Sequence, residues 1–413
     1  MKKLNITAIP YIFSQGMVTA SSAIIVLFLS SEGDVSNVVK FGIYFSLLAI
    51  LQSTLSLRYE LGIYTDGGVN KKFALYTAIE NSLLVSIIIA VGLTVLNYLG
   101  VNIWNFNFIE ALLITITCCV GNISMVLKQY YIAKGQVKTV TRVNLISTIM
   151  LFLALLNAHL IHSQKVFLIF LFVYFIMYSI LIIHWLVSDN HKKYNQKDYR
   201  TQFIKGSDFI KFSTPGLLLN VLAQNVIILY FGVISDAVSL AQLVVIMRIV
   251  FLPLSLVSLP LSHLISTEVM NYMANEKAIL IYLCQVIGVL LVLTLSYVFA
   301  LLVLDAQWLK LVGIEEQYWE SYVPILAILA FFRMTISPVS NILNVLKKEQ
   351  VLFNLQLINA LIIGALLFLG PQDIKHGLQI YVIGSVFFQV LCLWFILKAS
   401  YGYDRSSNKR TFQ

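Results

Sequence analysis

The stretch FGVISDAVS, residues 231–239, is the only break in the apolar sequence that runs from 212 to 262. Whether the chain turns there decides the fold, because reading one membrane span in place of two inverts the sidedness of everything that follows. A single span would carry Lys347, Lys348 and the basic tail to the far side. Two spans leave 22 of the 28 Lys and Arg residues on one side, with only Lys40, Lys165, Lys310 and Lys375 opposite. The charge pattern selects two spans and makes the basic side the cytoplasm.

That argument presupposes a bilayer, and composition supplies the reason for one. The chain has 413 residues, of which 59% are hydrophobic and only 11% charged, against roughly 25% charged in a soluble domain. Apolar runs recur from end to end, and a helix of about 20 residues crosses a hydrocarbon core of roughly 30 Å. Twelve spans are predicted: 9–30, 41–57, 73–96, 108–127, 143–161 and 166–187, then 212–235, 237–262, 278–304, 322–346, 351–370 and 377–399. Long continuous runs favour helices over the alternating strands of a barrel. The expected class is therefore all-α, a polytopic membrane protein with twelve transmembrane helices and both termini cytoplasmic. The opening MKK before an apolar stretch imitates a signal peptide, but no small-residue cleavage site follows, so an uncleaved first span is expected.

SDNHKKYNQKDYRTQFIKGSDFIKF, residues 188–212, is the longest hydrophilic break. It suggests an N-terminal six-helix bundle over 1–190, a basic cytoplasmic linker over 191–211, a C-terminal six-helix bundle over 212–400 and a cytoplasmic tail over 401–413. Each half begins on the same side, which relates the halves by an axis along the membrane normal. LKQYYIAKGQ (127–136) and LNVLKKEQ (343–350) close equivalent spans in the two halves.

The net charge of +9 is mostly a topology signal. Its basic residues sit on short loops rather than on one stripe, which disfavours nucleic acid as a partner and suits anionic membrane lipids. No phosphate-binding glycine loop, HExxH or GxSxG is present, so no enzyme signature stands out. His159 and His162 share a short outside loop and read as a solvated pair, and Cys118, Cys119, Cys284 and Cys392 fall inside spans as packing residues. No cofactor or metal site is expected. Function should reside within the bundle.

Attention moves to polar groups inside spans. Arg248 and Arg333 lie near the middle of spans eight and ten, where an arginine costs at least about 2.5–3.5 kcal/mol on insertion scales. Arg333, Ser337, Asn341 and Asn344 recur at helical spacing, a stripe about 80° wide. Span seven repeats the pattern with Ser213, Asn220 and Gln224, and span one with Gln15, Thr19 and Ser22. Such faces line something wet or hydrogen-bond one another across helices. At the end of span two, Gln52, Ser56 and Glu60 share a face, while Arg58 points elsewhere and can snorkel to headgroups. Glu80, two turns into span three, is a second buried-acid candidate. Either carboxylate is an ion-coupling candidate or pairs with a basic neighbour.

LRYELGI (57–63) resembles a similarly placed motif of bacterial polysaccharide flippases of the O-antigen (Wzx) type. IKFSTPGLLLNVLAQNVIILYFGVISDAVSLAQLVVIMRIVFLPLSLVSLPLSHLISTEV (210–269) resembles the seventh and eighth helices of that family, and YVPILAILAFFRMTISPVSNILNVLKKEQ (322–350) its tenth. These flippases belong to the multidrug/oligosaccharidyl-lipid/polysaccharide (MOP) exporter superfamily, whose fold is MATE-like. The resemblance implies translocation of an undecaprenyl-diphosphate-linked oligosaccharide, an O-antigen or capsule repeat unit, from the cytoplasmic to the periplasmic leaflet of the bacterial inner membrane. It implies alternating access, ion exchange as a driving force, and a polysaccharide polymerase and chain-length regulator as partners. Gly33 occupies the glycine position of the first outside loop, but its setting, SSEGDVSN, departs from the family pattern.

Guanidinium groups suit a diphosphate because they stay charged and present several donors in a plane. The expected substrate site comprises Arg248 and Arg333, with Arg58 at the entrance, and a saccharide-solvating lining from Gln15, Asn220, Gln224, Ser337 and Asn341. Pro215, Pro253, Pro260, Pro324 and Pro338 are places where helices can bend. A drug or cation antiporter of the same superfamily would favour acids in the cavity. A membrane polysaccharide polymerase or lipid-dependent glycosyltransferase would carry a longer outside loop than 305–321.

Overall fold

The computed structural model describes residues 8–57, 71–98, 107–161, 166–188, 211–212, 214–275, 278–304, 306–346, 348–368 and 373–410. Over these residues the chain is helical and contains no strand. The helices are α1 (Ala8–Ser31), α2 (Val35–Thr54), α3 (Lys71–Tyr98), α4 (Phe108–Ala133), α5 (Val137–Ile161), α6 (Val166–Ser188) and α7 (Thr214–Ile234). They continue as α8 (Ala237–Val250), α9 (Leu252–Ala274), α10 (Ile279–Leu302), α11 (Ala306–Leu311), α12 (Glu316–Ser340), α13 (Ile342–Val345), α14 (Glu349–Phe368) and α15 (Ile374–Arg410). Eight of the described helices are long and apolar enough to cross a membrane, and four shorter apolar helices accompany them. The protein is a polytopic all-α membrane protein.

The chain forms two compact units, Met1–Ile25 with Ser36–Val233, and Val26–Val35 with Ile234–Gln413. In the first, α4 packs against α3, α5 and α6. An aromatic seam joins α2 to α6, where Phe41 meets Phe167 and Phe170 at ring separations of 5.0 and 5.6 Å. In the second, α12 is central and packs against α8, α9, α10 and α15.

The break that decides the topology is a capped helix start. Asp236 has extended backbone and its side chain accepts from the Ser239 N–H at 2.9 Å, satisfying one of the donors that α8 leaves open. Two segmentations differ from expectation. Span eight, expected to be continuous over 237–262, is split into α8 and α9 at Phe251. Pro253 has no N–H to give the Ile249 carbonyl four residues earlier, and it stands in the first turn of α9, where a proline fits best. The hydroxyl of Tyr297 on α10 supplies the missing donor, 2.8 Å from the Ile249 oxygen. α15 also runs past the expected end of span twelve at 399, continuing through Arg410. Asp404 explains why: its two carboxylate oxygens accept from the Ile279 and Leu280 N–H groups at 2.9 and 3.0 Å, capping α10. The linker expected over 191–211 lies almost wholly outside the described residues.

Candidate functional site

Arg333 is placed by the packing of α12. Its residue is 7% exposed, within a helix whose neighbours Ala330, Ile336 and Val339 are buried and apolar. Nη2 donates to the Tyr381 hydroxyl of α15 at 2.7 Å. The guanidinium carbon lies 5.4 Å from the Phe251 ring centroid and 5.6 Å from that of Tyr381. Both rings present π-electron density to the cation, a contact that gains strength when desolvated. Among the described residues no carboxylate pairs with Arg333, and its buried Nε has no hydrogen-bond partner. A guanidinium carries five N–H donors. The protein thus holds a buried cation whose hydrogen-bonding capacity is largely uncommitted, an arrangement suited to an anion with several acceptor oxygens.

The second deep arginine belongs to α8, which packs against α12 in the same unit. Arg248 lies in the last turn of α8 and is half-buried. Three residues further on, Phe251 forms the break and stacks under Arg333. The polar stripe expected on span ten is interrupted at Asn341, which ends α12 and donates to the Ser262 hydroxyl of α9 at 2.7 Å. Pro338, near the end of α12, weakens the helix just before this point. Ser337 is half-buried, and its carbonyl accepts from the Ser340 hydroxyl.

Asn220 and Gln224 are half-buried on α7, which falls in the first unit. The side chain of Gln15 lies outside the described residues, as do Arg58 and Glu60. Glu80 is exposed on α3, so the expectation of a buried acid there is corrected. Among the described residues the buried acid of the first unit is Glu110, which sequence reasoning overlooked because it stands at the start of a span. Lys40 on α2 pairs with it at 2.7 Å. Its other oxygen accepts from the Asn107 N–H at 2.9 Å, while Asn107 caps Glu110 in return.

Two further features were missed. Tyr381 and Phe251 are aromatic residues in apolar sequence, with nothing to distinguish them from packing residues. Ser385 and Gln389, by contrast, follow Tyr381 at i+4 and i+8, so a polar face on span twelve was legible from spacing alone. Both are buried, and the Ser385 hydroxyl has no partner.

No protein-family model and no curated protein matches the sequence. Solved structures match along nearly its whole length. A multidrug resistance MATE family transporter of the MOP superfamily, in an inward-facing conformation, is 10% identical with a TM-score of 0.68, covering 95% of this chain and 96% of its own. The lipid II flippase MurJ, in an inward closed conformation, is 13% identical with a TM-score of 0.64, covering 98% and 91%. A MOP superfamily transporter from Pyrococcus furiosus, described as having a binding pocket of reversed polarity, is 11% identical with a TM-score of 0.63, covering 97% and 95%. At these identities the likeness establishes a shared fold.

Proposed function

We propose that this protein is a transporter of the MOP type that moves a lipid-linked oligosaccharide diphosphate between the leaflets of a bacterial plasma membrane. The observation that carries the reading is Arg333, a buried guanidinium with aromatic and hydroxyl neighbours and no carboxylate partner among the described residues. A diphosphate brings the negative charge and acceptor oxygens that such a group lacks. Arg248, in the last turn of the adjoining α8, is the second cation of the site. Asn220, Gln224, Ser337, Asn341 and Gln15 hydrogen-bond the saccharide, Arg58 receives the headgroup at the entrance, and Glu60 is the candidate for ion coupling.

The rival reading, a cation antiporter, calls for buried carboxylates without a basic partner. Glu110 is neutralised by Lys40 and Glu80 is exposed, which favours an anionic cargo. The deciding experiment replaces Arg333 and Arg248 by alanine and by lysine, singly and together, and follows the glycolipid on the cytoplasmic leaflet. The expected outcome is build-up in the alanine variants with partial relief in the lysine variants. Full transport by the double alanine variant would overturn the reading.

A further inference from the structure

In the first unit, where α4 ends, α5 begins and α6 ends, a cavity of about 490 Å³ opens beside the turn at Gly135. This volume lies within the usual range of small-molecule sites, roughly 300–1,000 Å³. Its lining includes Lys134, Lys138 and Thr139 from the turn and the start of α5, Tyr131 from α4, and His184 and Ser188 from α6. Among the described residues no carboxylate lines it.

Each component favours an anion. Lys134, exposed at the turn, extends over the Tyr130 ring, its Nζ 4.3 Å from the centroid. Lys138 is exposed in the first turn of α5, and that turn contains no acidic residue to offset the positive end of the helix. The Thr139 N–H donates to the Gln136 carbonyl at 3.2 Å, while those of Val137 and Lys138 have no acceptor within α5. Opposite them the Tyr131 hydroxyl stands 3.1 Å from His184 Nδ1 and 3.2 Å from the Ser188 hydroxyl. Gly135, at a φ of +76°, makes the tight turn, and no atom lies within 4 Å of where its Cβ would be.

We propose that this cavity is a phosphate-binding site, with Lys134 and Lys138 as its cationic groups and the hydroxyls of Tyr131, Thr139 and Ser188 as neutral ligands. The charge distribution assigns this end of the bundle to the cytoplasmic side. The phosphate is therefore carried either by an anionic lipid headgroup at the interface or by a soluble ion. The site is separate from Arg333 and does not depend on the transport reading.

The test uses the full chain in phosphatidylcholine nanodiscs. In one arm phosphatidylglycerol is added and the lipid molecules retained by the protein are counted by native mass spectrometry. In the other, inorganic phosphate is titrated into nanodiscs free of anionic lipid and followed by phosphorus NMR. Lys134→Ala with Lys138→Ala is expected to weaken binding about tenfold or more, since each basic residue near an anionic surface contributes appreciably. Lys134→Arg with Lys138→Arg should restore it, and a matched loss of two distant lysines, Lys375→Ala with Lys398→Ala, should leave it unchanged. Retention of phosphatidylglycerol alone identifies a lipid headgroup site, and binding of inorganic phosphate identifies a soluble-ion site. Absence of both, or equal losses in the site variant and the distant control, overturns the proposal.

Discussion

Arg333 Nη2 donates to the Tyr381 hydroxyl across 2.7 Å, joining α12 to α15 through a charged group that is only 7% exposed. Burying a cation without a counter-charge works against stability, so a residue kept there for packing and one kept for binding respond oppositely to replacement. Arg333→Leu should raise the thermal midpoint of the detergent-solubilised protein while abolishing transport. Tyr381→Phe should lower stability by about 1–3 kcal/mol, because it removes the acceptor of a buried charged donor. A fall in the midpoint of Arg333→Leu would assign the arginine a structural role.

The α8–α9 break gives a prediction internal to the backbone. Tyr297 donates to the Ile249 carbonyl only because Pro253 does not. Tyr297→Phe should destabilise by about 1–2 kcal/mol by leaving that oxygen only the Phe251 N–H, which it shares with the Met247 carbonyl. Pro253→Ala restores an N–H in the helical position, so Tyr297→Phe should cost little in that background. A double-mutant cycle on chemical unfolding measures the coupling, expected at about 1 kcal/mol. Additive effects would show that the hydroxyl is not replacing the missing amide.

The helical membrane architecture was legible because hydropathy and basic-residue asymmetry are properties of single segments. The break at Phe251 was less so: Pro253 marked a place to bend, yet proline in a membrane helix often kinks without ending it. Arg248 and Arg333 stood out because charge in apolar sequence is rare. Their aromatic neighbours did not, since Phe251 and Tyr381 acquire meaning only when α8, α12 and α15 pack together. Glu110 was hidden by its position at a helix start, where an acid is already explained by capping. The extension of α15 was hidden in a polar sequence that gains its order from Asp404 and the start of α10.

Gly313 has a φ of +71°, and a Cβ there would overlap the backbone carbonyl of Ser30, within the second unit. Gly33, with a φ of +74°, has open space around the same position. Gly33→Ala should therefore show only the backbone penalty of about 1–2 kcal/mol. Gly313→Ala should exceed it clearly and lower the yield of folded protein. Equal unfolding midpoints for the two variants would mean that the Ser30 segment yields without loss.

The Lys40–Glu110 pair has side chains 25% and 6% exposed, so each charge depends on the other more than a surface pair would. Lys40→Met should destabilise by about 2–3 kcal/mol, below the full value for a wholly buried pair. Adding Glu110→Gln should recover most of that loss by removing the stranded carboxylate and retaining a polar group at the helix start. Thermal unfolding of the two single variants and the double variant decides the matter. No recovery in the double variant would show that the lysine contributes through its alkyl chain.

Asp236 tests the reading of FGVISDAVS as a turn between helices. The Ser239 backbone N–H, donating to its side chain, holds the Asp236 carboxyl below the ordinary aspartate value, with its slight burial opposing. A group whose folded pKa is depressed contributes stability at pH above its unfolded value, and this is lost as pH falls through the folded value. Asp236→Ala should thus be destabilising by about 1 kcal/mol at neutral pH and less so in acid. Asp236→Asn keeps the cap but has no proton to gain, so it should hold its stability as the pH is lowered through the aspartate range. Unfolding midpoints of the native protein and both variants at neutral and acidic pH provide the comparison. A constant gap between native protein and the asparagine variant across that range would remove Asp236 as the ionised cap of α8.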